Sequence, residues 1–559
     1  MKNNKNLTVI AALACIIIFH VINNYFWIKN DTLSLYPEKY YQLMIKNHIL
    51  SSIQEIIQRD TSVLDKISSI AKLTRIKFCW FGLYYIYTAC VNLMFGNTTD
   101  VSLMANIPVF ILLIIFTFLI GKNIAGEKAG ILAAFFVSFY PGIYGISRSY
   151  GLDFPLTAMV TVCVYILIAK DITKIKYALF CGLVISIALL MKVQGIFFLI
   201  GPLVYIFFQR VYQSSNYGAE KTGSAKWRIF KITLAFGLLI SSLLLYLSFE
   251  IPYWNRDIMR VAKVFFVFFT KKRHFFETSP HSLFDIRSVL FYLFESINNI
   301  SRLLFVFFLF GLSLFCRTKL KYKMPVYLWI VAPYIIFTVH VNKSGRYYLP
   351  ALPALALVSA VGILQIKPRR FRISLIIAAI FLSLFQFYDL SFGTNILPKI
   401  LYRYSLGAVA YPPQKNEEDK VVTRFLEVIN KERDYLLPAP TVLLVGHPDL
   451  IDSGKLEYVL QNRKADLKFD KFFASGYNYK NCGYIIVVNG RMNNTGKLDL
   501  SFLKTFDYKG FLAVSYSEYR ISNTELEDMY NTFMKFKPVD HYLAGDLIYY
   551  LCKNTGDKK

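Results

Sequence analysis

The stretch Leu103-Met-Ala-Asn-Ile-Pro-Val-Phe-Ile-Leu-Leu-Ile-Ile-Phe-Thr-Phe-Leu-Ile120 carries no charged residue and is long enough to cross a hydrocarbon core as a helix. Blocks of the same kind recur from the N-terminus to about residue 390, and none follows residue 410. The 559 residues are 55% hydrophobic, with a mean hydropathy of +0.41. A soluble chain would need several wholly apolar core helices in succession, so the pattern predicts a polytopic α-helical membrane protein.

Working outward from that block, about eleven spans are expected, near residues 7–28, 103–120, 129–146, 154–169, 177–191, 195–208, 230–249, 301–316, 325–341, 347–365 and 372–388. Two stretches decide the parity of the rest. The segment 78–95 is apolar but rich in Tyr, Asn and Thr, and 177–208 is either one long span or two broken at Met191-Lys192-Val193-Gln194-Gly195. With 78–95 in the interface and 177–208 as a hairpin, the basic segments fall on one side. These are Lys2 and Lys5, Lys122 and Lys128, Lys170 to Lys176, Arg210 to Lys231, Arg317 to Lys323 and Lys367 to Arg372. The positive-inside rule makes that side cytoplasmic, with the N-terminus on it and the C-terminus outside, as expected for a plasma (inner) membrane protein. The first block ends in bulky Phe26-Trp27 with no small-residue cleavage site, so a retained signal anchor is expected.

The formal net charge of +27 is carried in these short segments between apolar blocks, and no zinc-finger spacing or aromatic–basic reader strand accompanies it. Nucleic-acid binding is therefore excluded as the source of the charge. Of the eight cysteines, Cys15, Cys79, Cys90, Cys163, Cys181 and Cys316 sit in or beside apolar stretches and read as inert thiols. Cys482 and Cys552 fall in the C-terminal region, where an extracytoplasmic location would permit a disulfide.

The organisation is then a transmembrane domain over 1–390, with outer loops at 29–102 and 250–300, and a small extracytoplasmic α/β domain over 391–559. In the tail, an amphipathic helix near Glu417–Arg433 precedes strands at Val442-Leu-Leu-Val445 and Tyr484-Ile-Ile-Val-Val488. The turn Gly446-His447-Pro448-Asp449 reads as a structural loop.

Ionisable groups at a membrane boundary are costly and point to function. The outer loops place Asp31, Glu38, Arg148, Asp153, Lys192 and Arg346 on one face, with Tyr347 beside Arg346. Each has a plain alternative: Asp153 could cap the helix beginning at Phe154-Pro155, and Arg346 could snorkel beside two tyrosines. Together, carboxylates from two loops and cations from three suit attack by a hydroxyl or amine at an anionic lipid-linked group. A carboxylate accepts the nucleophile's proton while Arg and Lys hold the departing phosphate. The 250–300 loop adds Arg256, Arg260, Lys263 and Lys271-Lys272-Arg273-His274, which would hold lipid phosphate or an anionic acceptor, or adhere to anionic headgroups.

From about residue 29 to residue 365 the chain resembles the GT-C membrane glycosyltransferases of family 39, which include protein O-mannosyltransferases and bacterial lipid A aminoarabinose transferases. The resemblance rests on Gly126-Glu-Lys-Ala-Gly-Ile-Leu-Ala-Ala134, on Ser147-Arg148 with Leu152-Asp153, on Leu190-Met191-Lys192 with Gly195, and on Arg346-Tyr347-Tyr348-Leu349-Pro350-Ala351-Leu352-Pro353. It implies an inverting enzyme that uses a polyprenyl-phosphate sugar on the outer face, with a first-loop Asp as base. Many members carry Asp-Glu there, whereas this chain has Pro37-Glu38-Lys39-Tyr40-Tyr41, so either Glu38 or Asp31 takes the role. Arg148 and Asp153 would shape the site, and Lys192 and Arg346 would contact phosphate. Some members hold a metal near the catalytic carboxylates, which leaves a divalent metal open. Neither His48 with Glu55 nor His274 with Glu277 has diagnostic ligand spacing.

The expected function is transfer of a sugar from polyprenyl phosphate to an extracytoplasmic glycolipid, glycan or protein. A secondary transporter is the main alternative, but the chain shows no internal repeat and its polar residues sit in loops, not mid-span. A membrane-anchored binding protein, with the tail as the working part, is the third.

Overall fold

The computed structural model describes residues 2–30, 37–73, 83–172, 174–192, 194–216, 286–339, 343–394, 413, 424–425, 427–428, and the strands at 441–445, 468–471, 484–489, 536–544 and 547–554. The chain divides into two compact units, Met1–Asp31 with Ile45–Pro413, and Thr32–Met44 with Gln414–Lys559.

In chain order the described helices begin with α1 (Lys2–Asn30), α2 (Pro37–Gln58), α3 (Val63–Lys72), α4 (Leu83–Phe95), α5 (Thr99–Met104) and α6 (Asn106–Ala125). They continue with α7 (Glu127–Phe139), α8 (Pro141–Ser147), α9 (Asp153–Ala169), α10 (Ile175–Met191) and α11 (Gly195–Asn216). The last are α12 (Ile286–Ile300), α13 (Arg302–Phe315), α14 (Lys323–Val339), a 3-10 turn at Gly345–Ala351, α15 (Leu352–Leu364) and α16 (Arg369–Phe392). Four described helical segments are long and apolar enough to cross a membrane, or six if each of two bent pairs is one span, and five shorter apolar helices accompany them. The expected spans at 7–28, 103–120, 347–365 and 372–388 fall in the four long segments. Those at 154–169, 177–191, 195–208 and 325–341 are the shorter helices, and 230–249 lies outside the described residues.

The expected span 129–146 is not one straight helix. Pro141 has no N–H to continue the ladder and drives Tyr140 to an extended conformation (φ −69°, ψ 124°), so α7 and α8 meet at 63°. A sharper bend of 113° separates α12 from α13 at Ser301, whose φ of 81° is unusual for a residue with a side chain. Its hydroxyl donates to Gln386 Oε1 at 2.6 Å and accepts from the Leu304 amide, which fixes the corner. The long apolar run 177–208 breaks where expected, at Lys192–Gln194 between α10 and α11.

Burial ranks the helices. Every residue from Leu352 to Ile363 of α15 is buried, whereas α1 and α16 turn Leu7, Ile10, Ile18, Phe26, Ile377 and Phe381 outward. Large apolar side chains facing outward on helices whose charges lie near their ends are the expected face toward lipid. Inside, small residues let backbones touch. A β-carbon on Gly311 would lie 2.6 Å from Ser359 Cα, and one on Gly362 would fall on the Gly311 carbonyl. Gly121 and Gly130 do the same for α6 and α7, where an added β-carbon would sit 2.8 Å from the opposing Cα.

The second unit contains a five-stranded mixed sheet of β1 (Thr441–Val445), β2 (Lys468–Lys471), β3 (Tyr484–Asn489), β4 (Phe536–Ala544) and β5 (Leu547–Asn554), in the order β2-β1-β3-β5-β4. The two strands read from sequence are β1 and β3, which pair in parallel at the centre. β5 and β4 add antiparallel at one edge, and Pro538 is tolerated because β4 is the edge strand and shifts register there. The expected helix at 417–433 is described only at 424–425 and 427–428, Cys482 and the 446–449 turn lie outside the described residues, and Cys552 lies in β5.

Because Gly362 meets backbone, Gly362→Ala should force α13 and α15 apart and lower stability by about 1–3 kcal/mol. Thermal unfolding of detergent-solubilised protein would register this as a lower Tm, while Gly96→Ala, which meets nothing within 4 Å but sits at φ +101°, should act only through local backbone strain.

Candidate functional site

Asp153 occupies the first position of α9, where the free amides and helix dipole favour a carboxylate and where Pro155 fits the first turn. Lys192 closes α10, in an extended conformation (φ −163°, ψ 124°), and Arg346 sits in the 3-10 turn before α15. These three elements, distant in sequence, bring their charges together. Lys192 Nζ donates to Asp153 Oδ1, and Arg346 Nε lies 3.9 Å from Asp153 Oδ2. Both cations also lie against one ring: Lys192 Nζ is 5.2 Å and the Arg346 guanidinium 5.8 Å from the centre of Tyr347. The side chains of Lys192, Asp153 and Arg346 keep 18%, 12% and 28% of their surface exposed, so the cluster is sheltered yet reachable. Two cations converging on one carboxylate are an arrangement suited to holding a phosphate oxygen as well, and the Glu295 carboxylate approaches the same turn beside Gly345.

Arg148 belongs to a second, fully enclosed cluster. Its Nε donates to Asn24 Oδ1 at 2.9 Å and its Nη1 to Ser391 Oγ at 3.0 Å. Its guanidinium lies 5.0–5.3 Å from the rings of Trp27, Tyr144 and Phe387. Asn24 Nδ2 in turn donates to Ser147 Oγ, so α1, α8 and α16 are joined at one end. Arg148 Nη2 is left without a hydrogen-bond partner among the described residues, but the guanidinium as a whole is enclosed, with about 1% of the residue exposed. Nearby, the exposed pair Lys29–Asp100, 2.8 Å apart, joins the end of α1 to the start of α5.

The expected outer-face residues thus separate. Asp153, Lys192, Arg346 and Tyr347 converge, and Arg148 anchors the neighbouring helices. Asp31, Lys271 and Arg273 lie outside the described residues, as does the Glu38 side chain, although Glu38 is in the first turn of α2. Among the described residues no three His, Cys, Asp or Glu side chains converge, so these residues by themselves do not fit a metal ion. Lys343, three residues before Arg346, donates to the Phe337 and Thr338 carbonyls at the end of α14, and burial pulls its amine down to about 8.

Sequence reasoning missed Asn24, Asn106 and Ser391, all buried. The available signal was polarity at the ends of apolar spans: Asn23-Asn24 interrupts the first block, and Asn106 precedes Ile-Pro at the start of another.

Arg148→Lys keeps the charge but cannot reproduce the fork to Asn24 and Ser391, and should lower stability by about 1–3 kcal/mol. The same loss of Tm should appear when Lys192 is already replaced by Ala, which separates anchoring from ligand contact.

Residues 82–219 match the family described as dolichyl-phosphate-mannose-protein mannosyltransferase. A comparison with curated protein sequences finds no match. Among solved structures, ArnT from Cupriavidus metallidurans bound to undecaprenyl phosphate aligns over 97% of this chain and 98% of its own, with a TM-score of 0.56 and 12% identity. The apo state of the same ArnT aligns over 98% of both chains, with a TM-score of 0.54 and 13% identity. At such identity the likeness speaks for fold, and the family match adds the sequence relation in the segment that holds Arg148, Asp153 and Lys192. The chain thus shares the fold of the solved ArnT structures along its length, and its residues 82–219 match the dolichyl-phosphate-mannose-protein mannosyltransferase family.

Proposed function

We propose that the protein is a multi-pass membrane glycosyltransferase that moves a sugar from a polyprenyl-phosphate donor to an extracytoplasmic glycolipid, glycan or protein acceptor, with inversion. The observation that carries this reading is the Asp153–Lys192–Arg346 cluster against Tyr347, at helix ends within an ArnT-like fold. The solved ArnT that this chain resembles is bound to undecaprenyl phosphate, and the two clustered cations supply what a lipid-linked phosphate needs.

The roles follow from which groups are already engaged. Both Asp153 oxygens face cations, so Asp153 is suited to hold Lys192 and Arg346 in place and not to accept a proton. Lys192 and Arg346 neutralise the phosphate as it departs with the lipid. The general base then falls to a first-loop carboxylate, Asp31 or Glu38, which takes the proton from the acceptor's hydroxyl or amine as it attacks the anomeric carbon. Arg148 supports the site from behind by fixing α8. The basic run at Lys271 and Arg273 would hold lipid or acceptor phosphate. The assigned orientation has a cytoplasmic N-terminus, an extracytoplasmic α/β tail over 391–559 and residence in the plasma (inner) membrane, on the segregation of positive charge.

Two measurements test this. Purified protein should bind undecaprenyl phosphate saturably, and Lys192→Ala and Arg346→Ala should each weaken binding about tenfold or more, equivalent to about 1.4 kcal/mol. Replacing the true base, by Asp31→Asn or Glu38→Gln, should cost transfer about 10²–10⁴-fold with donor binding retained. Full transfer by both variants would sink the base assignment, and substrate-driven uptake into proteoliposomes without sugar chemistry would sink the enzyme reading.

A further inference from the structure

The loop Ser147–Leu152 that delivers Asp153 to the cluster is held at three successive residues. Arg148 is fixed by Asn24 and Ser391, as described above. Next to it, the Ser149 carbonyl accepts from Asn106 Nδ2 at 2.9 Å. The Tyr150 hydroxyl then shares a hydrogen with Thr88 Oγ1 at 2.6 Å, and its ring lies 5.5 Å and 6.3 Å from those of Tyr84 and Tyr85. Asn106 is itself oriented, because Tyr84 donates its hydroxyl hydrogen to Asn106 Oδ1 at 2.6 Å. Asn106, Thr88, Tyr84 and Tyr150 are all fully or almost fully buried. The helix α4, a segment read from sequence as merely interfacial, therefore turns a polar, tyrosine-rich face toward this loop.

A buried amide used on both ends is more than filler. The Ser149 carbonyl can only accept, so the Asn106 nitrogen must face it, and the Asn106 oxygen is left to accept from Tyr84. Four residues later the chain reaches Asp153, whose carboxylate must meet Lys192 from α10 and Arg346 from the 3-10 turn. An error of about 1 Å in this loop would part the ion pairs.

We propose that Asn106, oriented by Tyr84, is a positioning residue that sets the Ser147–Leu152 loop and thereby the Asp153–Lys192–Arg346 cluster. The proposal rests on the reading of that cluster as a phosphate site only for its effect on ligand binding, and its geometric part can be measured without ligand. Asn106→Asp is isosteric and keeps an oxygen for Tyr84 but cannot donate to Ser149, and Tyr84→Phe removes the orienting hydroxyl while keeping the ring.

The ligand-free measurement is the acylation rate of the Lys192 amine by a water-soluble amine reagent, read by mass spectrometry in detergent-solubilised full-length protein. Release from Asp153 should raise that rate several-fold in Asn106→Asp and in the same direction, by less, in Tyr84→Phe. The second measurement is undecaprenyl phosphate binding. Asn106→Asp should weaken it about tenfold, yet change it less than twofold when Lys192 is already Ala, because the two act through the same contact. An unchanged Lys192 rate in both variants overturns the proposal, as do binding losses that multiply in the double variant, which is what general destabilisation would give. A raised Lys192 rate in a protein that binds no undecaprenyl phosphate supports the positioning role and overturns the phosphate reading instead.

Discussion

The Asp153 carboxylate between Lys192 and Arg346 is the interaction on which the candidate site depends. Each of the three charges would be expensive alone at a membrane boundary, and each comes from a different helical element. Bringing them together offsets their desolvation and fixes the relative heights of α9, α10 and α15. Arg148 solves a related problem differently: among the described residues it is held by two neutral side chains and three aromatic faces, with Nη2 left over, and so serves as glue inside the bundle.

Much of the helical frame was legible because hydrocarbon demands a continuous apolar run with every backbone group satisfied within the helix. The break at Lys192 was legible for the same reason, since Lys192 and Gln194 interrupt the run. The strands at Thr441–Val445 and Tyr484–Asn489 declared themselves as short β-branched and aliphatic runs between turn residues. The bends were harder. Pro141 sits inside an apolar block and could be accommodated in a span, as Pro202 and Pro333 are in α11 and α14, so its presence alone did not announce a 63° corner. Ser301 gave no signal at all, because nothing in its neighbours requires a positive φ.

The site was legible as a set of residues and not as an arrangement. Counting charges on one face grouped Arg148 with Lys192 and Arg346, whereas their surroundings assign them opposite work. The neutral residues that do the holding, Asn24, Asn106, Thr88 and Ser391, carry no charge to count. They become visible only when a partner across the bundle is known, which is a property of packing and not of local pattern.

The contact between Gly311 and Gly362 has a kinematic meaning as well as an energetic one. With backbone against backbone, neither α13 nor α15 can slide or roll without driving a neighbouring turn into the other's carbonyls. The two helices therefore behave as one beam, tied further at its corner by Ser301 and Gln386. That beam has an enclosed and an outward side, because α15 is buried from Leu352 to Ile363 while α13 turns Val306, Leu309 and Phe310 outward. Two of the smallest residues in the chain thus lock a buried helix to one that faces outward.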